Sequence, residues 1–151
     1  MTEQIPTPSA SHPDVEPLST EEERTWAMLA HLTVLINLFT GLLGPVAALI
    51  IYLVYRDRSR YVAYQSLQSV LMQVIAWLGG GLLAAILWVV AALLTIVCIG
   101  VLLYPVAMLV SLLPIAAVVY GIYAAIQCNE GRDFKYWQIG DWLRSTYTGE
   151  E

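Results

Sequence analysis

The sequence predicts an all-α integral membrane protein, a four-helix bundle in which a short Gly-Pro helical hairpin precedes two long, kinked spans. Three observations carry that prediction. The 151-residue chain is 58% hydrophobic and only 13% charged, with a mean hydropathy of +0.66, where soluble domains run nearer about 25% charged. No charged residue occurs from Thr25 to Tyr55, and none from Tyr61 to Asn129. A helix in water needs a polar face that neither run can supply, whereas a spanning helix needs about 20 apolar residues. Glycine and proline, finally, punctuate both runs where turns and bends are required.

Three regions follow: a Pro-rich disordered tail (1–18), a helical membrane domain (19–129) and a cytoplasmic amphipathic, aromatic tail (130–151). Met1 to Ser19 holds Pro6, Pro8, Pro13 and Pro17 among Ser, Thr and acids. It has neither a basic n-region nor an apolar h-region, so no cleavable signal peptide is expected. Ser19 or Thr20 can cap a helix, with Glu22 or Glu23 three residues on and acids at the positive end of the dipole. That helix runs through Trp26 toward Phe39. Gly41, Gly44 and Pro45 then break it, and a second apolar stretch runs from Val46 to Tyr55. As one straight helix the first run would be ~46 Å long, well beyond the ~30 Å hydrocarbon core. Either it is a hairpin of two short helices, or it is one kinked span, which makes three spans in all.

Arg56, Arg58 and Arg60 form the densest basic cluster, which the positive-inside rule places in the cytoplasm. The long run that follows offers Gly79-Gly80-Gly81 as a turn or a bend, and Cys98-Ile99-Gly100 with Tyr104-Pro105 as a turn. Val106 to Gln127 makes the last span, with Pro114 a kink and Gly121 a close-approach site. Two spans between Arg60 and Arg132 place Arg132 and Lys135 on the same side as the first cluster, and with the hairpin both termini become cytoplasmic. Phe134, Tyr136, Trp137 and Trp142 then form an aromatic set suited to the headgroup region.

Few residues offer chemistry. Gln65, Ser69 and Gln73 recur at i, i+4 and i+8, with Gln68 and Ser66 beside them. Amides facing lipid would lack partners, so this stripe should point into the bundle as interhelical glue, or else line a polar pathway. His31 is the only ionisable side chain within an apolar run, and Asn37 the other intramembrane polar candidate. Cys98 and Cys128 belong to no metal-binding motif and read as small buried apolar residues. The glycine triplet lacks the Lys-Ser/Thr of a phosphate loop. Paired carboxylates, Ser/His/Asp sets and metal spacings are absent from the membrane region, so neither catalysis nor a cofactor is expected. Seven dispersed Lys and Arg make no nucleic-acid-binding patch. The expected partners are the lipid bilayer and either a second copy or an unidentified membrane protein.

Several short segments also resemble a known family: Leu29-Ala30-His31-Leu32, Gly44-Pro45, Arg56-Asp57-Arg58-Ser59-Arg60, Tyr61-Val62-Ala63-Tyr64-Gln65-Ser66-Leu67-Gln68, and Asn129-Glu130-Gly131-Arg132-Asp133-Phe134-Lys135-Tyr136. Together they resemble the bacterial membrane family called domain of unknown function 4870, related to the twenty-kilodalton Tic component of the chloroplast inner envelope. The resemblance covers roughly residues 20–145. It departs at Gln65, where that family commonly has His, and at Trp137, where it often has Pro. What it implies is a four-helix membrane domain, which favours the hairpin. The expected function is a structural or accessory subunit of the bacterial inner membrane. The alternative is an oligomeric channel or protein-translocation element resembling the Tic component.

Overall fold

A computed structural model describes residues 16–137 and 139–148; the expected disorder of the N-terminal tail falls mostly on residues 1–15, outside that range. The described residues form five helices and no strand. They are α1 (residues 20–40), α2 (Leu43–Tyr55), α3 (Arg60–Val97), α4 (Gly100–Asn129) and α5 (Ile139–Thr148).

Helix α1 starts where the sequence signals it. Ser19 Oγ accepts from the Glu22 backbone N–H at 3.3 Å, and the Glu22 carboxylate accepts from the Ser19 backbone N–H at 2.9 Å, a reciprocal cap that satisfies two orphan donors. The helix tightens into a 3-10 turn at Thr33–Ile36 and stops at Gly41, whose φ of +79° a β-carbon would oppose. The chain then turns back on itself. Trp26 meets Tyr55 with ring centroids 4.5 Å apart, while at the other end Asn37 Oδ1 accepts from the Gly44 N–H at 2.7 Å. The two helices are therefore antiparallel, and residues 25–55 are not one kinked rod. Pro45 lies in the first turn of α2, where its missing N–H breaks no helical bond.

Helices α3 and α4, at 38 and 30 residues, are both long and apolar enough to cross a membrane. The glycine triplet does not turn the chain, because α3 continues through it with a widened turn over Val74–Gly79. The turn falls instead at Cys98, which has a left-handed φ of +63° and is exposed, while Cys128 is buried. The reading of both cysteines as buried thus holds for Cys128 alone. A tight hairpin end demands an unusual backbone, and that exposes Cys98.

Helix α2 packs along the first turns of α3, and α1 packs along the second half of α4. The Tyr61 hydroxyl donates to the Arg132 carbonyl at 3.2 Å, so both basic loops lie at one end of the molecule. There Arg56 pairs with Asp57, Arg132 with Glu130 and Lys135 with Asp141, and Arg58 donates to the Glu16 carbonyl. After α4, Gly131 takes a φ of +77°, and an extended strap, 132–137, crosses the end of the bundle to α5. The aromatic set divides accordingly. Phe134 and Tyr136 are buried, while Trp137 and Trp142 are 79% and 62% exposed.

Candidate functional site

Among the described residues, nearly every buried polar side chain gathers where α1, α3, the start of α2 and the strap meet. His31, Gln65, Gln68, Ser69, Gln73 and Asn37 are each no more than 2% exposed. Helix geometry explains the alignment, since residues spaced three and four apart share one face of α3. That face looks at α1 and at the strap.

The lower half of the network joins the two helices of the hairpin to α3. Gln73 Nε2 donates to Thr33 Oγ1 at 2.8 Å and to Ser69 Oγ at 2.9 Å. Both hydroxyls donate onward to the Ala30 carbonyl, at 2.8 and 2.7 Å. Gln73 Oε1 accepts from Asn37 Nδ2 at 2.9 Å, and Asn37 Oδ1 accepts the N–H of Gly44 in the first turn of α2. Gly44 is therefore more than part of a break. A β-carbon there would lie 2.6 Å from Asn37 Oδ1 and 2.6 Å from the Thr33 carbonyl, and in collision with Gln73 Oε1.

The upper half ties down the strap. Gln65 Nε2 donates to the Phe134 carbonyl at 3.0 Å and to Asp133 Oδ1 at 3.2 Å. Gln68 Nε2 reaches the same carbonyl at 3.2 Å, and Gln68 Oε1 accepts the Tyr136 N–H at 2.9 Å. His31 sits between these partners. Its Nε2 lies 3.1 Å from Gln65 Oε1 and its Nδ1 lies 3.1 Å from the Tyr136 hydroxyl. An amide oxygen only accepts, so Nε2 carries the proton, and the tyrosine donates to the bare Nδ1. A neutral imidazole thereby satisfies both neighbours. Rings of Phe134 and Tyr136 stand edge-on to it at 5.8 and 5.4 Å, and Tyr120 closes the cluster at 4.9 Å from Tyr136. Burial pushes the Tyr136 phenol well above its ordinary pKa, so it stays a neutral donor at any working pH.

The arrangement thus uses the amides of the stripe between elements. Sequence reasoning missed Tyr136, Phe134 and Thr33 as members, because aromatic residues beyond the last span read as interfacial. One signal was present: Phe134 and Tyr136 alternate at i and i+2, as one face of an extended segment does. Replacing Gln65, Gln68 and Gln73 together by Leu is expected to leave insertion intact and lower bundle stability in detergent, each lost bond costing roughly 0.5–2 kcal/mol. Unfolding curves for the single and triple variants check this; unchanged stability in the triple variant would count against the bonds as glue.

Residues 22–143 fit the model of the MamF/MmsF family, described as the magnetosome magnetite crystal formation protein family. No curated protein matches, and no solved structure does. This overturns the resemblance to domain of unknown function 4870 and to the Tic component. The segments that suggested it hold His31, Gln65, Gln68, Phe134 and Tyr136, all members of the buried cluster, so they marked the packed end of the bundle without naming its family.

Proposed function

The chain belongs to the magnetosome magnetite crystal formation protein family, and from that premise we propose that it is a structural, non-catalytic accessory protein of the magnetosome membrane. In this reading α3 and α4 span the bilayer, the α1–α2 hairpin enters it from the same side, and both termini face the cytoplasm. The observation that carries the reading is the one-sidedness of charge. Every charged side chain among the described residues lies at the end holding the 56–60 loop, the strap and α5, and none occurs from Tyr61 to Asn129. The basic loops favour the cytoplasm for that end. The far end offers only uncharged turns, so recognition of a protein partner belongs to the charged end, where the buried network holds the strap and the Tyr64 hydroxyl donates to the Gly140 carbonyl of α5. Protein translocation loses its ground with the Tic resemblance, and the hydrogen-bonded stripe favours a closed bundle over a lined pathway.

Topology tests it directly. Ser59 caps α3, accepting from the Val62 N–H, and is 6% exposed, so Asp57 is the better label site in that loop, with Ser145 for α5. In isolated, intact magnetosomes, cysteines at Asp57 and Ser145 should both react with a membrane-impermeant maleimide. Protection of either one until detergent is added would defeat the proposed orientation.

A further inference from the structure

The two long helices are interrupted at the same level. In α3 the turn Val74–Gly79 is π-helical, and the Gly80 N–H reaches back five residues to the Ile75 carbonyl. Such widened turns are local defects in the regular ladder. Gly79 and Gly81 flank its end with nothing within 4 Å of where a β-carbon would stand. In α4 the ladder fails at Leu112, whose N–H reaches the Leu109 carbonyl at 3.1 Å, while Pro114 has no N–H to offer Val110. The two defects face each other, since a β-carbon on Gly80 would lie 3.3 Å from Leu113 Cβ. Trp77 lies inside the widened turn with its indole N–H buried and unbonded.

This level also divides the molecule in two. Below it, α1 and α2 pack on the near stretches of α3 and α4. Beyond it, 82–111 form a bare two-helix hairpin whose outer side chains are open, with Leu82 65% and Ile96 83% exposed. At ~1.5 Å per residue α3 is about 57 Å long and α4 about 45 Å, against a hydrocarbon core of ~30 Å. A rigid pair of that length must tilt as a whole or protrude.

We propose that residues 74–81 and 111–114 form a paired hinge about which the distal hairpin changes its tilt against the bundle, fitting one chain to lipid bilayers of different thickness. The hinge rests on the reading that α3 and α4 span the membrane. Glycine at the two open positions keeps the widened turn soft, and proline removes the opposing bond. Neither defect involves the buried polar network, so motion here leaves the strap and α5 in place.

Spin labels on native Cys98, at the exposed hairpin tip, and on Asp57→Cys, in a Cys128→Ala background, measure the angle as a distance. The full chain is reconstituted into phosphatidylcholine vesicles with acyl chains of 14, 18 or 22 carbons, and insertion is checked by flotation. The mean distance is expected to lengthen with chain length, and Gly79→Ala/Gly81→Ala/Pro114→Ala should abolish that shift while retaining native helicity. Pro114→Ala alone, the milder variant, should reduce it. An inserted chain whose distance ignores thickness overturns the hinge but leaves the spanning reading standing, as does a triple variant that responds like the parent. A chain that does not float with vesicles overturns both.

Discussion

Gly44→Ala is expected to destabilise the domain by about 3 kcal/mol, although it adds one methyl group to a helix. Alanine ordinarily improves a helix by roughly 0.5–1 kcal/mol over glycine, so the sign itself is diagnostic. The methyl would stand 2.6 Å from the Thr33 carbonyl and from Asn37 Oδ1, and against Gln73 Oε1. The Thr33 oxygen belongs to the backbone and cannot swing aside, so α2 must retreat from α1. Retreat breaks the bond from the Gly44 N–H to Asn37 and frees Asn37 from Gln73. Gly79→Ala is the control, because open space surrounds it and its stability should stay within about 1 kcal/mol of the parent. Denaturant unfolding in mild detergent compares the two. Equal effects at Gly44 and Gly79 would mean that the hairpin tip is not packed as described.

Gly44 also marks where the sequence stops being informative. Its neighbour Gly41 was legible as a break, because Gly-rich segments before a proline end helices. Nothing local distinguishes the two glycines; what makes Gly44 irreplaceable is the close approach of the Thr33 carbonyl and Asn37 on α1, with Gln73 of α3 beside them. The polar stripe was legible for the opposite reason. In a run with no charge at all, amides at helical spacing have to face protein, and the spacing alone gives their shared side. His31 and Asn37 were legible as polar candidates in the same way, but Thr33 is an ordinary residue in sequence and the strap follows the last long helix, so those partners were not. The path of two long apolar helices between the basic clusters followed from charge placement, yet the widened turn in α3 did not, as no residue pattern singled it out. Family membership was least legible. The segments 29–32, 61–68 and 129–136 are a few residues each, and runs that short carry little that separates one family from another.

His31→Leu is expected to loosen the strap. The substitution removes the acceptor of the Tyr136 hydroxyl and one donor to Gln65 Oε1. Gln65 keeps a bond from Gln68 Nε2 at 3.3 Å, whereas the tyrosine is left with a buried, unbonded hydroxyl, which costs about 1–3 kcal/mol. Tyr136→Phe alone should cost somewhat less, because the imidazole keeps its bond to Gln65 and loses only an acceptor's partner. Combining the two removes both halves of the contact, so the double variant should be more stable than the sum of the single effects, with a coupling of roughly 1 kcal/mol. The strap supplies a second readout that general destabilisation would not single out. Arg132 and Lys135 are the trypsin sites within it, and the extended segment becomes cleavable only when Phe134 and Tyr136 leave their seats. Cleavage there should quicken in His31→Leu, and slow again when Phe replaces Tyr136, while cleavage in the 56–60 loop stays at the parent rate. Purely additive stability effects, together with strap cleavage that does not respond to the second substitution, would show that His31 acts as a space-filling core residue and not as the bond that fastens the strap.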